Sequence, residues 1–285
     1  MKIRLLSSAV GIALAVGLII LSAYFSLVAN LSLTAIAVMC VIEGLSAKGL
    51  NKKLSIFIPC IAFTALFCAV GGTLAHAAEV FLFVTVIFMA MIINHENLKF
   101  PDLAYAFTVT ALCTWGLWSV IYTFNSSVVY IDNKEYTVTG LFYIVTALAT
   151  PWLADGGAYF GGSFFGKRKL CPKISPKKTV EGAVSGVFIG TLLSLLVGII
   201  FQSFFFKNGE VVNYVYLAIF GLMGSLISIV GDLSFSLIKR SVGIKDYGSL
   251  IPGHGGMLDR FDSVIFTSPL LMIFNMILPI IHNAG

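Results

Sequence analysis

An all-α, polytopic membrane fold of about nine transmembrane helices is what this sequence predicts, and three observations predict it. Of its 285 residues 58% are hydrophobic and only 11% are charged, whereas a soluble surface carries about a quarter charged residues, so lipid must solvate most of the chain. Apolar runs recur from end to end and leave no block larger than a loop to fold in water. When those runs are threaded alternately through a bilayer, the basic residues gather almost entirely on one side.

A helix needs roughly 20 apolar residues to cross about 30 Å of hydrocarbon. Polar breaks divide the chain into runs of that order at 5–25, 27–45, 54–72, 77–93, 103–122, 139–160, 182–206, 214–238 and 261–281. The second and fourth are the weakest. The first follows Met1-Lys2-Ile3-Arg4 and resembles a signal peptide, but it exceeds an h-region and no clean cleavage site follows, so it is read as a helix. Alternate threading puts Lys2, Arg4, Lys48, Lys52, Lys53, Lys99, the cluster from Lys167 to Lys178, Lys239, Arg240, Lys245 and Arg260 on one side. Only Lys134 and Lys207 fall on the other. The positive-inside rule makes the first side cytoplasmic, with the amino terminus inside, the carboxyl terminus outside and residues 125–138 an outer loop.

The expectation is therefore one integral membrane domain over 1–285, with amino-terminal helices in 1–140 and the charged loops in 141–285. In a bacterium its place would be the inner membrane. The net charge of +5 sits in short loops, which suits membrane lipids with anionic headgroups rather than nucleic acid. None of the five cysteines is in Cys-x-x-Cys spacing, and four lie in apolar runs, so they read as packing residues.

Charge is concentrated in two inner segments. The later one reads GDLSFSLIKRSVGIKDYGSLIPGHGGMLDRFD. If the eighth helix continues to about Arg240, Asp232, Ser236, Lys239 and Arg240 share a stripe by their spacing of four, three and one. Pro252-Gly253 then turns the chain. Gly255 and Gly256 remove side chains where the ninth helix begins, leaving N–H groups to face an anion. Asp259 and Asp262, three apart, project from one side of that helix. Three carboxylates beside Lys239, Arg240, Lys245, His254 and Arg260 describe a place where Mg²⁺ and phosphates bind together. Each residue alone has a plainer account: Asp259 as a helix cap, the lysines and arginines as topology-setting charges, His254 as a turn residue. Their coincidence within about thirty residues is what favours a site.

The earlier segment, PWLADGGAYFGGSFFGKRKLCPKISPKKTVEG, repeats this logic. Asp155 sits in the last turn of an apolar run, Gly157 and Gly161 read as helix-packing positions, and Lys177 and Lys178 offer counter-charge to a triphosphate. Ser175 and Thr179 flank Pro176 as candidate caps of the seventh helix, and Glu181 in its first turn reads as a dipole partner or a further ligand. Glu43, near the inner end of the second helix, reads as an interfacial charge facing water.

These residues resemble the phosphatidate cytidylyltransferase (CDP-diacylglycerol synthase) family. Ser236, Ile238, Lys239, Arg240, Lys245, Asp246, Gly248, Ile251, Pro252, His254, Gly255, Gly256, Met257, Asp259, Arg260, Phe261 and Asp262 fill that family's carboxyl-terminal signature. Gly231-Asp232, Asp155 with Ala158-Tyr159-Phe160, and the run from Ser175 to Gly182 are similar to its other blocks. Gly156 departs from it, since a hydroxyl residue is expected after the aspartate. The first 140 residues match only in hydropathy and approximate helix count.

The resemblance implies transfer of CMP from CTP to phosphatidic acid. On that reading Asp232, Asp259 and Asp262 hold Mg²⁺, with a second cation such as K⁺ left open. Lys239, Arg240, Lys245, Asp246, His254 and Arg260 complete the catalytic set. Asp155, Ser175, Lys177, Lys178, Thr179, Glu181, Ser236, Gly255 and Gly256 would bind substrate, and a homodimer is left open. Two rival activities remain at this stage, a CTP-dependent lipid alcohol kinase and an ion-coupled transporter with broken helices.

Overall fold

The computed structural model describes residues 2–70, 72–131, 134–206, 209–250 and 255–283. Among these residues an α-helix stands on each predicted run: α1 (Lys2–Ser22), α2 (Ser26–Ala47), α3 (Leu54–Ala69), α4 (Thr73–Ile93), α5 (Phe100–Ser126), α6 (Val138–Phe165), α7 (Val180–Phe204), α8 (Tyr214–Ser241) and α9 (Leu258–Ile277). Seven of them, α2 and α4 to α9, are long and apolar enough to cross a membrane. The chain is an integral membrane protein. With 16 residues, α3 extends about 24 Å, short of the hydrocarbon width. The site-bearing α6 and α8 have 28 residues each, about 42 Å of helix, so they can carry polar ends clear of the lipid.

Short antiparallel strand pairs, which hydropathy does not signal, close three of the connections. They are β1 (Val129–Ile131) with β2 (Lys134–Tyr136), β3 (Lys169–Cys171) with β4 (Ser175–Thr179), and β5 (Glu210–Val212) with β6 (Ile281–Asn283). The last pair corrects the ninth run, expected to stay helical to 281. It stops at Ile277 because the Asn213 N–H donates to the Ile280 carbonyl at 2.7 Å and β6 pairs with β5 instead.

Lipid gives helices no hydrophobic reason to associate, so close packing of small side chains must hold them together. On α7 one stripe, Gly182, Gly186, Gly190, Ser194 and Gly198, is buried, while Val184, Phe188, Leu192, Leu196 and Ile199 are exposed on the other face. A methyl group on Gly186 would lie 2.7 Å from the Ala154 carbonyl oxygen, and one on Gly157 would lie 2.7 Å from Ile189, so α6 and α7 approach backbone to backbone. The second half of the core joins α2, α5 and α9, where Cys40, Val109, Cys113, Leu117, Leu258 and Ile265 are buried. The buried cysteines are free thiols that serve as packing.

The connections sort to two ends. At one end Lys53 on the α2–α3 connection bonds the Asn97 carbonyl and pairs with Asp102 at the start of α5, and the Leu258 N–H at the start of α9 reaches Glu43 near the end of α2. The β3–β4 hairpin reaches α8 at this same end. At the other end Thr137 bonds the Ala23 carbonyl and β5 pairs with β6. Both charge-rich segments of the sequence therefore lie at one face.

Candidate active site

The α8 stripe is present, with one departure. Asp232, Ser236 and Lys239 follow each other along one side, and the Ser236 hydroxyl lies 3.3 Å from Asp232 Oδ1. Lys239 is buried, whereas Arg240, one residue and about 100° further on, is exposed and donates to the Ile244 carbonyl at 3.0 Å. Lys245 and Asp246 are exposed beyond it.

Lys239 Nζ sits 2.7 Å from Asp259 Oδ1, with side-chain exposures of 10% and 6%. The other oxygen, Asp259 Oδ2, accepts N–H bonds from Tyr247 at 2.8 Å and Gly256 at 3.0 Å. Asp259 thus ties α8, the connection and the start of α9 together. The amide of Gly256, expected to face an anion, is given to this carboxylate. Gly255 has φ of +86°, a backbone region that side chains disfavour, and it lets the chain turn into α9. Burial pushes the Tyr247 phenol above its ordinary value, so it stays a donor, and it bonds the Phe235 carbonyl at 3.2 Å.

A second group forms one turn deeper. Asp262 is buried, and its Oδ1 accepts the Ser263 N–H at 2.7 Å. The Ser263 hydroxyl reaches Asp155 Oδ2 at 3.0 Å and lies 3.4 Å from Asp262 Oδ1. Asp155, Asp232 and Asp262 act on one another electrostatically, with Lys178 and Arg260 bearing on Asp155 and Lys239 on Asp262. Like charges gathered in a partly desolvated place need cations, and the chain provides them. Lys178 forms an ion pair with Asp232. Trp152 closes the wall on α6, its indole donating to the Arg260 carbonyl at 2.8 Å and its ring set edge-on to Phe261.

The β3–β4 hairpin delivers Lys178, and its own polar groups hold the hairpin in place. Thr179 caps α7 by accepting the Gly182 N–H at 3.1 Å. Glu181 accepts the N–H groups of Lys167 at 3.0 Å and Arg168 at 3.1 Å. Ser175 pairs with Cys171 inside the hairpin and caps nothing. Lys177 is exposed. The two segments thus meet in one cluster, made of Asp155, Lys178, Asp232, Lys239, Asp259, Asp262 and Ser263, while Arg240, Lys245, Asp246 and Lys177 are exposed outside it. His254 lies outside the described residues.

Two participants escape sequence reasoning. Ser263 reads as an ordinary small residue, yet it bridges two carboxylates. Glu43 is 9% exposed rather than facing water, and its Oε2 accepts the Leu258 N–H at 2.9 Å. The correction has a plain cause, because its partner is 215 residues away and no local pattern marks it.

A helical membrane bundle that gathers carboxylates and cations at one face defines a class, an integral membrane protein with a partly buried charged cluster. Within that class the chain belongs to the cytidylyltransferase family, which it matches over residues 2–278. It is 32% identical over 281 residues to the phosphatidate cytidylyltransferase of Staphylococcus epidermidis, covering 96% of this chain and 98% of that one. With those of Bacillus subtilis and Synechocystis sp. it shares 42% identity over 142 and 153 residues, and the chain spans about half the length of these two relatives, 50% and 49%.

Proposed function

We propose that this chain is a phosphatidate cytidylyltransferase of the inner membrane, with the site on the cytoplasmic face. The observation that carries the reading is the meeting of the two charged segments, Lys178 on Asp232 and Asp155 on Ser263. A phosphate oxygen of phosphatidic acid forms a bond to the α-phosphorus of CTP. The bond from that phosphorus to the bridging oxygen breaks, and pyrophosphate leaves with the electron pair. One phosphoanhydride replaces another, so no covalent enzyme intermediate is needed. Both reactants are highly anionic, and the work of the site is to neutralise them and hold them in line.

The residues divide that work. Lys178 and Lys239 lie among the carboxylates, and Arg260, exposed but bearing on Asp155, joins them in steadying the phosphates at the reacting centre. Lys177, Arg240 and Lys245, exposed outside the cluster, attract the triphosphate and the lipid headgroup from either side. The resemblance in sequence adds His254 as a further phosphate-binding residue. Asp232 and Asp262 would hold Mg²⁺, with Asp155 beside them, while Asp259, expected to join them, has both oxygens taken by Lys239 and the Tyr247 and Gly256 amides and would serve by fixing Lys239. Among the described residues no three such side chains form a complete cage, and none is required, since Mg²⁺ is commonly held by one or two carboxylates together with substrate phosphates and water. Bound there, the ion would supply positive charge to phosphate oxygens.

The test is to incubate the purified protein with phosphatidic acid, CTP labelled in the cytosine and Mg²⁺. Labelled liponucleotide and pyrophosphate are expected in equal amounts. Release of CDP with a phosphorylated lipid alcohol would replace this reading with the kinase, and solute flux in proteoliposomes without CTP consumption would replace it with a transporter.

A further inference from the structure

The amino-terminal helices carry no part of the signature, yet one of their carboxylates lies inside the connection that does. Glu43 Oε2 accepts the N–H of Leu258, the first residue of α9. A methyl group built on Gly248 would lie 2.7 Å from Glu43 Oε1, and one on Gly256 would collide with Oε2. At both glycines the three nearest heavy atoms all belong to Glu43. Both ends of the described α8–α9 connection are therefore drawn onto one side chain of α2. The floor beneath that side chain is equally tight. The Tyr105 hydroxyl donates to the Gly44 carbonyl at 2.9 Å, and a methyl group on Gly44 would collide with Val109 and lie 3.3 Å from Leu258.

We infer that Glu43 is a positioning residue for the catalytic segment: its carboxylate fixes the start of α9 and the gap between Gly248 and Gly256, and through them Asp259. The glycines are there because the carboxylate fills the space their side chains would take. Gly256 sits between the two anchors, against Glu43 on one side and giving its N–H to Asp259 on the other. Asp259 in turn holds Lys239. Loss of Glu43 then frees one end of a chain of contacts that leads to the cations of the site. The inference rests on the proposed activity for its kinetic form alone.

The test is a double-mutant cycle in the full-length protein, combining Glu43→Ala and Gly248→Ala, with Glu43→Asp as a second, shorter partner that keeps the charge. Each single change is expected to lower turnover on the order of tenfold, since small misplacements near chemistry are costly. Gly248→Ala in the Glu43→Ala protein should cost less than about twofold more, because the atoms it would strike are gone. Amide hydrogen exchange at the start of α9 should quicken in Glu43→Ala and Glu43→Asp and remain slow in Glu43→Gln, which keeps an acceptor. Losses that multiply in the double variant, or exchange at Leu258 unchanged by Glu43→Ala, would overturn the inference. A wild-type protein without liponucleotide synthesis would defeat the proposed activity instead, and the exchange measurement would still decide the role of Glu43.

Discussion

The two charged segments use the same residue types to opposite ends. Between Asp155 and Glu181 the polar side chains mostly serve the backbone: Thr179 caps α7, and Glu181 gathers the amides of Lys167 and Arg168. Its basic residues are left largely exposed, and Lys178 alone reaches an acidic partner on α8. Between Asp232 and Asp262 the charged groups serve one another, with Lys239, Asp259 and Asp262 buried or nearly so. Exposed cations act in small, separable steps, whereas buried ion pairs fail together when one member is removed. The first segment is an exposed basic strap, and the second is a fixed electrostatic frame.

The largest effect should come from the point where the two meet. Asp232→Asn removes a carboxylate of the frame and the partner of Lys178 at once. Turnover in the liponucleotide assay should fall about 10²–10³-fold, the scale of losing one aligned electrostatic group. Lys178→Met should lower turnover by less than Asp232→Asn does, and wild-type turnover in Asp232→Asn would dissolve the distinction between strap and frame.

Next in size is a contrast between neighbours. Lys239→Met leaves the buried Asp259 without its cation and should lower stability by about 3 kcal/mol, as breaking a buried pair does. Arg240→Met, at an exposed position, should change stability by less than about 0.5 kcal/mol. Thermal unfolding in a single detergent measures both. Equal shifts would mean that Lys239 is as well solvated as Arg240.

That contrast also marks where sequence stops being sufficient. The four-and-three spacing of Asp232, Ser236 and Lys239 reads directly as one helix face, and the extra step to Arg240 is large enough to turn it away. Helix positions follow from hydropathy because lipid imposes length and polarity on every span. The strap is harder to read. Its β3–β4 pairing depends on register between Lys169–Cys171 and Ser175–Thr179, in a run whose charges mask any alternation. Asp259 and Gly256 also illustrate a limit: the glycine amide available to an anion in the sequence is taken, in the fold, by a carboxylate three residues away. Glu43 is the extreme case, an isolated acid whose meaning lies wholly in a contact between the two halves of the chain.

A smaller change tests how the strap is hung. Thr179→Ala deletes the cap of α7 and should cost about 1 kcal/mol, the usual worth of such a residue. Ser175→Ala removes a hydroxyl that caps no helix and should cost less than half of that in the same unfolding experiment. Reversal of the order would move the helix start to the other end of β4.

The smallest expected effect concerns Gly156, the residue beside Asp155 that departs from the family pattern. A methyl group there would meet nothing within 4 Å, so the departure leaves open space next to a carboxylate of the site. Serine is a better helix former than glycine by about 0.5 kcal/mol, so Gly156→Ser should raise stability by roughly that amount. It should leave turnover within about twofold, since the added hydroxyl displaces no protein group. A loss of tenfold or more would show that the space is filled during the reaction, by substrate or by an ion drawn to Asp155. The site would then extend one residue further along α6 than its contacts alone define.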